Sequence, residues 1–187
     1  MGIIYTFELS SDINNSFFTK LSRVKTKMPQ LLGEYDCKLD AKGRVRMPSP
    51  LLKQLGEQEE GKSYIFVVNR GIEDCLTLYP KEIWDDVSEE VNQLNTYVKK
   101  NRAFVRYFFR GATELNTDSS DRINLPKKLL DYAGIDKELV LFAHTNKIEI
   151  WAKDKYDEVL EEEPEDFSDL AEEVMGKVNK GTSPGEA

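Results

Sequence analysis

Long apolar runs are missing from this chain: no stretch approaches the roughly 20 consecutive apolar residues that a membrane-spanning helix needs, so a protein living in water is expected. Histidine occurs once, at His144, and cysteine twice, at Cys37 and Cys75. No two of these have the spacing of a metal site, so neither a metal nor another cofactor is expected. The two cysteines fall where neighbouring residues alternate in polarity, and they read as buried, reduced thiols of a cytoplasmic protein rather than as a disulfide. A glycine-rich phosphate loop and a nucleophile motif are absent too, which leaves no catalytic residues to name and no small-molecule substrate to expect. The mildly apolar start, Met1 to Tyr5, lacks a preceding basic segment and is interrupted by Glu8 and Asp12, so no secretory signal is expected.

Charge is plentiful but unevenly placed. The whole chain of 187 residues has a formal net charge of −8, whereas residues 154–187 alone hold 12 acidic and 3 basic side chains and account for −9. Residues 1–153 are therefore left with +1, and that body is free to present a basic patch to a polyanion.

The feature that organises the rest is an internal repeat. Asp40-Ala41-Lys42-Gly43-Arg44-Val45-Arg46-Met47-Pro48 returns as Asp118-Ser119-Ser120-Asp121-Arg122-Ile123-Asn124-Leu125-Pro126, 78 positions later. The same offset carries Leu51, Leu52 and Gly56 onto Leu129, Leu130 and Gly134. An offset of 72 then carries Leu76, Leu78, Tyr79 and Trp84 onto Ile148, Ile150, Trp151 and Tyr156, the difference falling in the polar loop 57–63. Two similar halves follow, each too small to bury much core alone, packed about a pseudo-two-fold axis.

Within the first half, Tyr35, Cys37 and Leu39 alternate with Glu34, Asp36 and Lys38, the period of a half-buried strand. Asp40 to Gly43 reads as a turn, Asp40 capping backbone amides and Gly43 tolerating positive φ. The returning strand puts Val45 and Met47 inside and Arg44 and Arg46 outside; Ser49 then caps a short helix that Gly56 ends. Strands are expected at 65–68 and 75–79 with a turn at Asn69-Arg70-Gly71. A helical pair joins the halves. Its first helix packs Ile83, Trp84, Val87, Val91 and Leu94, and its second, from Val98 to Arg110, places Lys99, Arg102, Arg106 and Arg110 in one basic stripe. That stripe either pairs with the acidic helix beside it or with a neighbouring subunit, or else meets phosphate. The second half repeats strand, turn, strand and short helix, adds strands at 139–142 and 147–151, and leads into a helix from Lys153 to Glu161 and an amphipathic one carrying Phe167, Leu170, Ala171 and Val174. The parts divide as 1–31, a poorly ordered extension; 32–81, first half-domain; 82–111, connecting helices; 112–155, second half-domain; and 156–187, an acidic tail.

On the outer face of the first hairpin, Lys38, Lys42, Arg44 and Arg46 are expected to form a four-cation cluster on a two-stranded ribbon, a width that fits the major groove of B-DNA. The corresponding residues of the second copy, Asn116, Ser120, Arg122 and Asn124, keep one cation. Asp40 with Arg44, and Asp118 with Arg122, either close their turns and join subunits as ion pairs or leave each arginine for DNA.

The paired Asp-x-x-x-Arg hairpins, the segment Arg106-Tyr107-Phe108-Phe109-Arg110-Gly111-Ala112 before the second and Ile148-Glu149-Ile150-Trp151 after it resemble the bacterial MraZ family, from about Leu32 to Trp151 and on through Glu172. The resemblance implies an α+β fold of duplicated AbrB-like, swapped-hairpin β-barrel half-domains with a central helical pair. It also implies a nucleoid-associated, DNA-binding transcriptional regulator of the division and cell-wall gene cluster, acting on repeated elements of double-stranded DNA as a homo-oligomeric ring, an octamer or dodecamer. Asp121 stands where the family usually has glycine. A ring-forming scaffold that meets an acidic protein instead of DNA is the competing reading.

Overall fold

A computed structural model of the chain describes residues 30–56, 62–161 and 167–180. The extension expected before residue 30, the break near Pro164 and the end of the tail lie outside the described residues. In chain order the elements are β1 (Gly33–Lys38), β2 (Arg44–Arg46), α1 (Ser49–Gln54), β3 (Ile65–Arg70), β4 (Leu76–Pro80), α2 (Lys81–Asn92) and α3 (Lys99–Phe108). They continue with β5 (Thr113–Asn116), β6 (Arg122–Asn124), α4 (Lys127–Ala133), β7 (Glu138–His144), β8 (Lys147–Ala152), α5 (Lys153–Glu161) and α6 (Phe167–Lys180). This is a mixed α+β fold whose strands pair antiparallel, in a six-stranded sheet ordered β1-β7-β8-β4-β3-β5 and a two-stranded ribbon of β2 with β6.

The pairing crosses between the copies. β1 of the first copy pairs along its length with β7 of the second, Gly33 opposite Ala143 through Lys38 opposite Glu138. β5 of the second pairs with β3 of the first, Ile65 opposite Asn116 through Val68 opposite Thr113. The seam between the copies is β4 on β8, Leu76 opposite Ile150 and Leu78 opposite Ile148. A first strand and its returning strand therefore do not form the hairpin ribbon expected from the sequence: β1 and β2 share no ladder, and just past β1 Leu39 bridges to Val45 and the Asp40 N–H donates to the Arg44 carbonyl at 2.8 Å. The physical reason is length and burial. β2 has three residues before Pro48 stops it, too few to pair with six-residue β1, and its one inward side chain needs a surface from the other copy to bury against.

One core results. Val45, Met47 and Leu51 share it with Ile123, Leu125 and Leu129, and Phe66, Leu76 and Leu78 with Leu141, Ile148 and Ile150. β1 keeps the expected alternation, Tyr35 and Cys37 packing inward and Glu34, Asp36 and Lys38 exposed. Leu31, placed in the extension by the sequence, is fully buried, and its N–H donates to the Thr145 carbonyl at 2.8 Å, prolonging the β1–β7 ladder.

Three local expectations shift. α1 is capped by Pro48 rather than Ser49, because the Pro48 carbonyl accepts from the N–H groups of Leu51 and Leu52; Pro126 does the same for α4 with Leu129 and Leu130. β3 runs on through Arg70 because Asn69 is buried opposite Thr77 and its Nδ2 donates to the Phe108 carbonyl at 3.1 Å. The turn follows at Gly71, whose N–H donates to the Cys75 carbonyl, so Cys75 is a buried turn residue and not part of a strand. α2 buries Ile83, Trp84, Val87 and Val91 as its spacing predicts, and Trp84 stacks on Phe108 with ring centroids 5.3 Å apart. Among the described residues no helix is long and apolar enough to cross a membrane.

Candidate nucleic-acid interface

The ribbon of β2 and β6 brings the two Asp-x-x-x-Arg turns together. Its register sets Arg44 opposite Asn124, Val45 opposite Ile123 and Arg46 opposite Arg122. Side chains alternate across a strand, so Val45 and Ile123, both fully buried, point into the core while Arg44, Arg46, Arg122 and Asn124 share the outer face. Each strand shows the same gradient from a half-buried to an exposed position, Arg44 to Arg46 and Arg122 to Asn124.

The turns are built alike. Asp40 Oδ1 accepts from the N–H groups of Lys42 (2.8 Å) and Arg44 (3.1 Å), and Asp118 Oδ1 accepts from those of Ser120 (2.9 Å) and Arg122 (3.0 Å). The second carboxylate oxygen faces the arginine: Arg44 Nε and Nη2 lie 2.8 and 2.6 Å from Asp40 Oδ2, and Arg122 Nε and Nη2 lie 2.9 and 2.8 Å from Asp118 Oδ2. Gly43 has φ +75°, and Asp121, at the matching position, has φ +58°. Aspartate is among the few side chains that tolerate that region, which is how the second turn keeps its shape without glycine.

The two pairs also reach across the ribbon. Arg44 Nη1 is 3.8 Å from Asp118 Oδ2, and Arg122 Nη1 is 4.0 Å from Asp40 Oδ2. Four charges of alternating sign thus close both turns and tie one copy to the other inside a single chain. The hydrogen bond from its own arginine is the main reason that each carboxyl, Asp40 and Asp118, is held down to about 2. Among the described residues Arg46, exposed, and Lys42, at the tip of the first turn, have no carboxylate partner.

Of the four cations expected on one hairpin, Lys42, Arg44 and Arg46 lie on the ribbon and its turn. Lys38 does not. It closes β1 two residues before Asp40, 2.7 Å from Glu138 on the neighbouring strand, an exposed pair at the edge of the large sheet. Arg122 takes its place beside Arg46, contributed by the other copy. An open groove beside the first turn is lined by Asp40, Lys42, Gly43, Asn124, Lys127 and Lys137, so two further lysines lie near the ribbon that the sequence reading missed. Nothing in the sequence flags them, since they become neighbours of Lys42 only through the crossed pairing.

The basic stripe lies apart from the ribbon on α3. Arg102 turns back to donate from Nη1 to the carbonyls of Thr96 and Tyr97, both at 2.8 Å, fastening the loop before the helix. Lys99, Arg106 and Arg110 have no acidic partner on α2 among the described residues, and α3 has no fully buried residue. The pairing with the acidic helix that the sequence allowed is not made.

Comparison with known proteins fits the twofold build. The family model described as "MraZ protein, putative antitoxin-like" matches twice, over residues 30–107 and 108–178. A protein of Christiangramia forsetii named "Transcriptional regulator MraZ" is 46% identical over 150 residues, covering 80% of this chain and 95% of its own length. Proteins of the same name from Flavobacterium psychrophilum and Pediococcus pentosaceus are 44% and 41% identical, over 81% and 77% of this chain and 96% of their own. The solution structure of PHS018 from Pyrococcus horikoshii aligns with 62% of this chain at 16% identity and a TM-score of 0.28, too distant to bear on the argument. Two consecutive family matches that meet between residues 107 and 108, just where α3 hands over to the second copy, and relatives spanned almost end to end, leave one conclusion: this chain belongs to the MraZ family.

Proposed function

We propose that this chain is a transcriptional regulator that binds double-stranded DNA sequence-specifically through the β2–β6 ribbon, as a homo-oligomeric ring set against repeated promoter elements of the division and cell-wall gene cluster. The curated relatives carry the name of a transcriptional regulator. In this reading the halves are swapped-hairpin, AbrB-like barrel units related by a pseudo-two-fold through Val45 and Ile123, and the protein works in the cytoplasm on the nucleoid. The observation that supports it best is the register placing Arg46 opposite Arg122 on an exposed two-stranded ribbon, of a width that enters a major groove.

Arg46 and Lys42 are the leading contacts, because no carboxylate among the described residues holds them. Arg44 and Arg122 are already fastened by aspartates, so they position the ribbon and offer only their outward N–H groups. Lys38, away at the sheet edge, contacts flanking backbone at most. Across the ribbon and its turns Lys42, Arg44, Arg46 and Arg122 are set against Asp40, Asp118 and Asp121, one net positive charge. So small a charge neutralises few phosphates, which is why the reading needs several copies of the chain on repeated sites. Footprinting of the region just upstream of this protein's own gene is the test. Short, regularly spaced protected direct repeats are expected, and an unprotected region at saturating protein counts against the proposal.

A further inference from the structure

Beside the first turn of the ribbon an open groove of about 780 Å³ is lined by lysines from three places in the chain: Lys42 from the turn itself, Lys127 from the start of α4 and Lys137 from the loop before β7. Two backbone bonds fix its walls. The Leu125 N–H donates to the Gly43 carbonyl at 3.1 Å and the Leu39 N–H to the Lys137 carbonyl at 2.8 Å, so segments of both copies are held around it. All three lysines are exposed. Of the carboxylates in the lining, Asp40 is held by Arg44, which leaves Asp136 as the opposing charge. Lys127 also meets Asp131 of its own helix at 3.2 Å, an exposed pair of the kind that is worth little and is readily exchanged for another anion. Glu138, next to Lys137, is paired with Lys38 instead, at 2.7 Å. The second turn has a matching place built from different residues. There the Met47 N–H donates to the Asp121 carbonyl at 2.8 Å, the counterpart of Leu125 with Gly43, and the repeat sets Ser120, Asp121 and Ser49 where the first turn has Lys42, Gly43 and Lys127.

From this geometry we infer that the groove holds the sugar–phosphate backbone of one DNA strand, with Lys42, Lys127 and Lys137 on its phosphates, while the outer face of the ribbon meets base edges. The inference rests on the DNA-binding reading above and adds to it two contacts, Lys127 and Lys137, that lie off the ribbon. Compact ammonium groups on flexible stems suit phosphate oxygens, and contacts of this kind set the register of a protein on a duplex while carrying no sequence information themselves. An open groove suits a strand that passes through it rather than a small molecule that has to be enclosed. Because the second turn offers serines and an aspartate at the matching places, the backbone is drawn to one turn and turned away from the other. A ribbon with equivalent ends would read a site alike in both orientations. A ribbon with one basic end reads it in one, which gives a physical reason for target elements repeated in a single direction.

The test uses the full chain and fluorescence anisotropy on a labelled duplex from the region upstream of its gene, over a series of salt concentrations, with thermal melts and light scattering to match folding and assembly state. Lys127→Ser/Lys137→Ser is expected to flatten the line of log K against log salt by about two per engaged chain. Its melting temperature is expected to be unchanged, since both side chains are exposed and the bond to Leu39 uses the Lys137 backbone. Ser49→Ala/Ser120→Ala, at the second turn, is expected to follow the native line. The same duplex with single phosphates replaced by neutral methylphosphonates then gives position. For the native chain, replacements that weaken binding are expected on one flank of each element, and in the lysine variant those replacements lose their effect. A lysine variant that keeps the native affinity, slope and phosphate pattern, where the native chain does bind, overturns the groove inference and leaves the DNA-binding reading standing. Phosphate effects of equal size on both flanks overturn the one-sided placement. A native chain with no salt-dependent binding to the duplex overturns both readings.

Discussion

Asp121 is the residue at which the two copies differ most in consequence. It keeps a left-handed backbone, φ +58°, in a turn whose counterpart uses Gly43, and it sets a carboxylate at the edge of the proposed DNA face. Asp121→Asn retains a side chain that accepts this conformation and removes the charge. The expected outcome is tighter binding to operator-length DNA at low salt with an unchanged melting temperature, read by fluorescence anisotropy and by thermal melts. The aspartates beneath the ribbon make a second prediction. Asp40 and Asp118 are held at about 2 by their arginines, below the ordinary carboxylate value, so their contribution to stability is full above about pH 4 and is lost as pH falls through about 2. Thermal melts are expected to hold level from pH 7 to 5 and to drop between pH 4 and 2. Asp40→Asn should start lower at pH 7 and drop less. What the sequence showed at this scale was the pair itself, Asp and Arg four apart in both copies. What it could not show was that Arg44 also comes within 3.8 Å of Asp118, since that distance depends on which strand β2 chooses.

Strand partnership is where the reading from sequence and the fold part company. Alternation along Tyr35, Cys37 and Leu39 announces a strand with one buried face, and Pro48 and Pro126 announce where short strands end; neither names a neighbour. The nearest strand in the chain is the natural assumption for a tight turn such as Asp40 to Gly43. It fails here because three residues cannot cover six and because Val45 and Ile123 bury each other's surroundings only when β2 lies on β6. Leu31 escaped for a different reason: it precedes the first repeated residue, so neither offset reaches it. Two consequences follow from the crossed pairing. Ile123→Ala and Leu31→Ala, both at fully buried positions, should each lower unfolding stability by about 2–5 kcal/mol in urea titrations. The halves should also melt together, in one transition with coincident far-ultraviolet and tryptophan signals, because β1 and β5 are each hydrogen-bonded into the other copy.

For the molecule as a whole, the acidic C-terminal region and the basic α3 stripe are both plain in the sequence as charge runs, and the structure adds that Lys99, Arg106 and Arg110 have no acidic partner on α2 among the described residues. The duplicated ribbon is small and carries little net charge, so a DNA-binding role leans on repetition: several ribbons on one assembly, several sites on one duplex. The most direct measurement is a salt titration of binding to repeat-bearing duplex DNA by the native chain, Arg46→Ala and Asn124→Ala, at matched assembly state. If the ribbon reads DNA through the first copy's free arginine, Arg46→Ala loses about 1–3 kcal/mol per engaged site and its log K against log salt line is shallower by about one per engaged chain, while Asn124→Ala follows the native line. An Arg46→Ala protein that binds with native affinity and native slope, or an Asn124→Ala protein that loses binding in its place, would contradict the account.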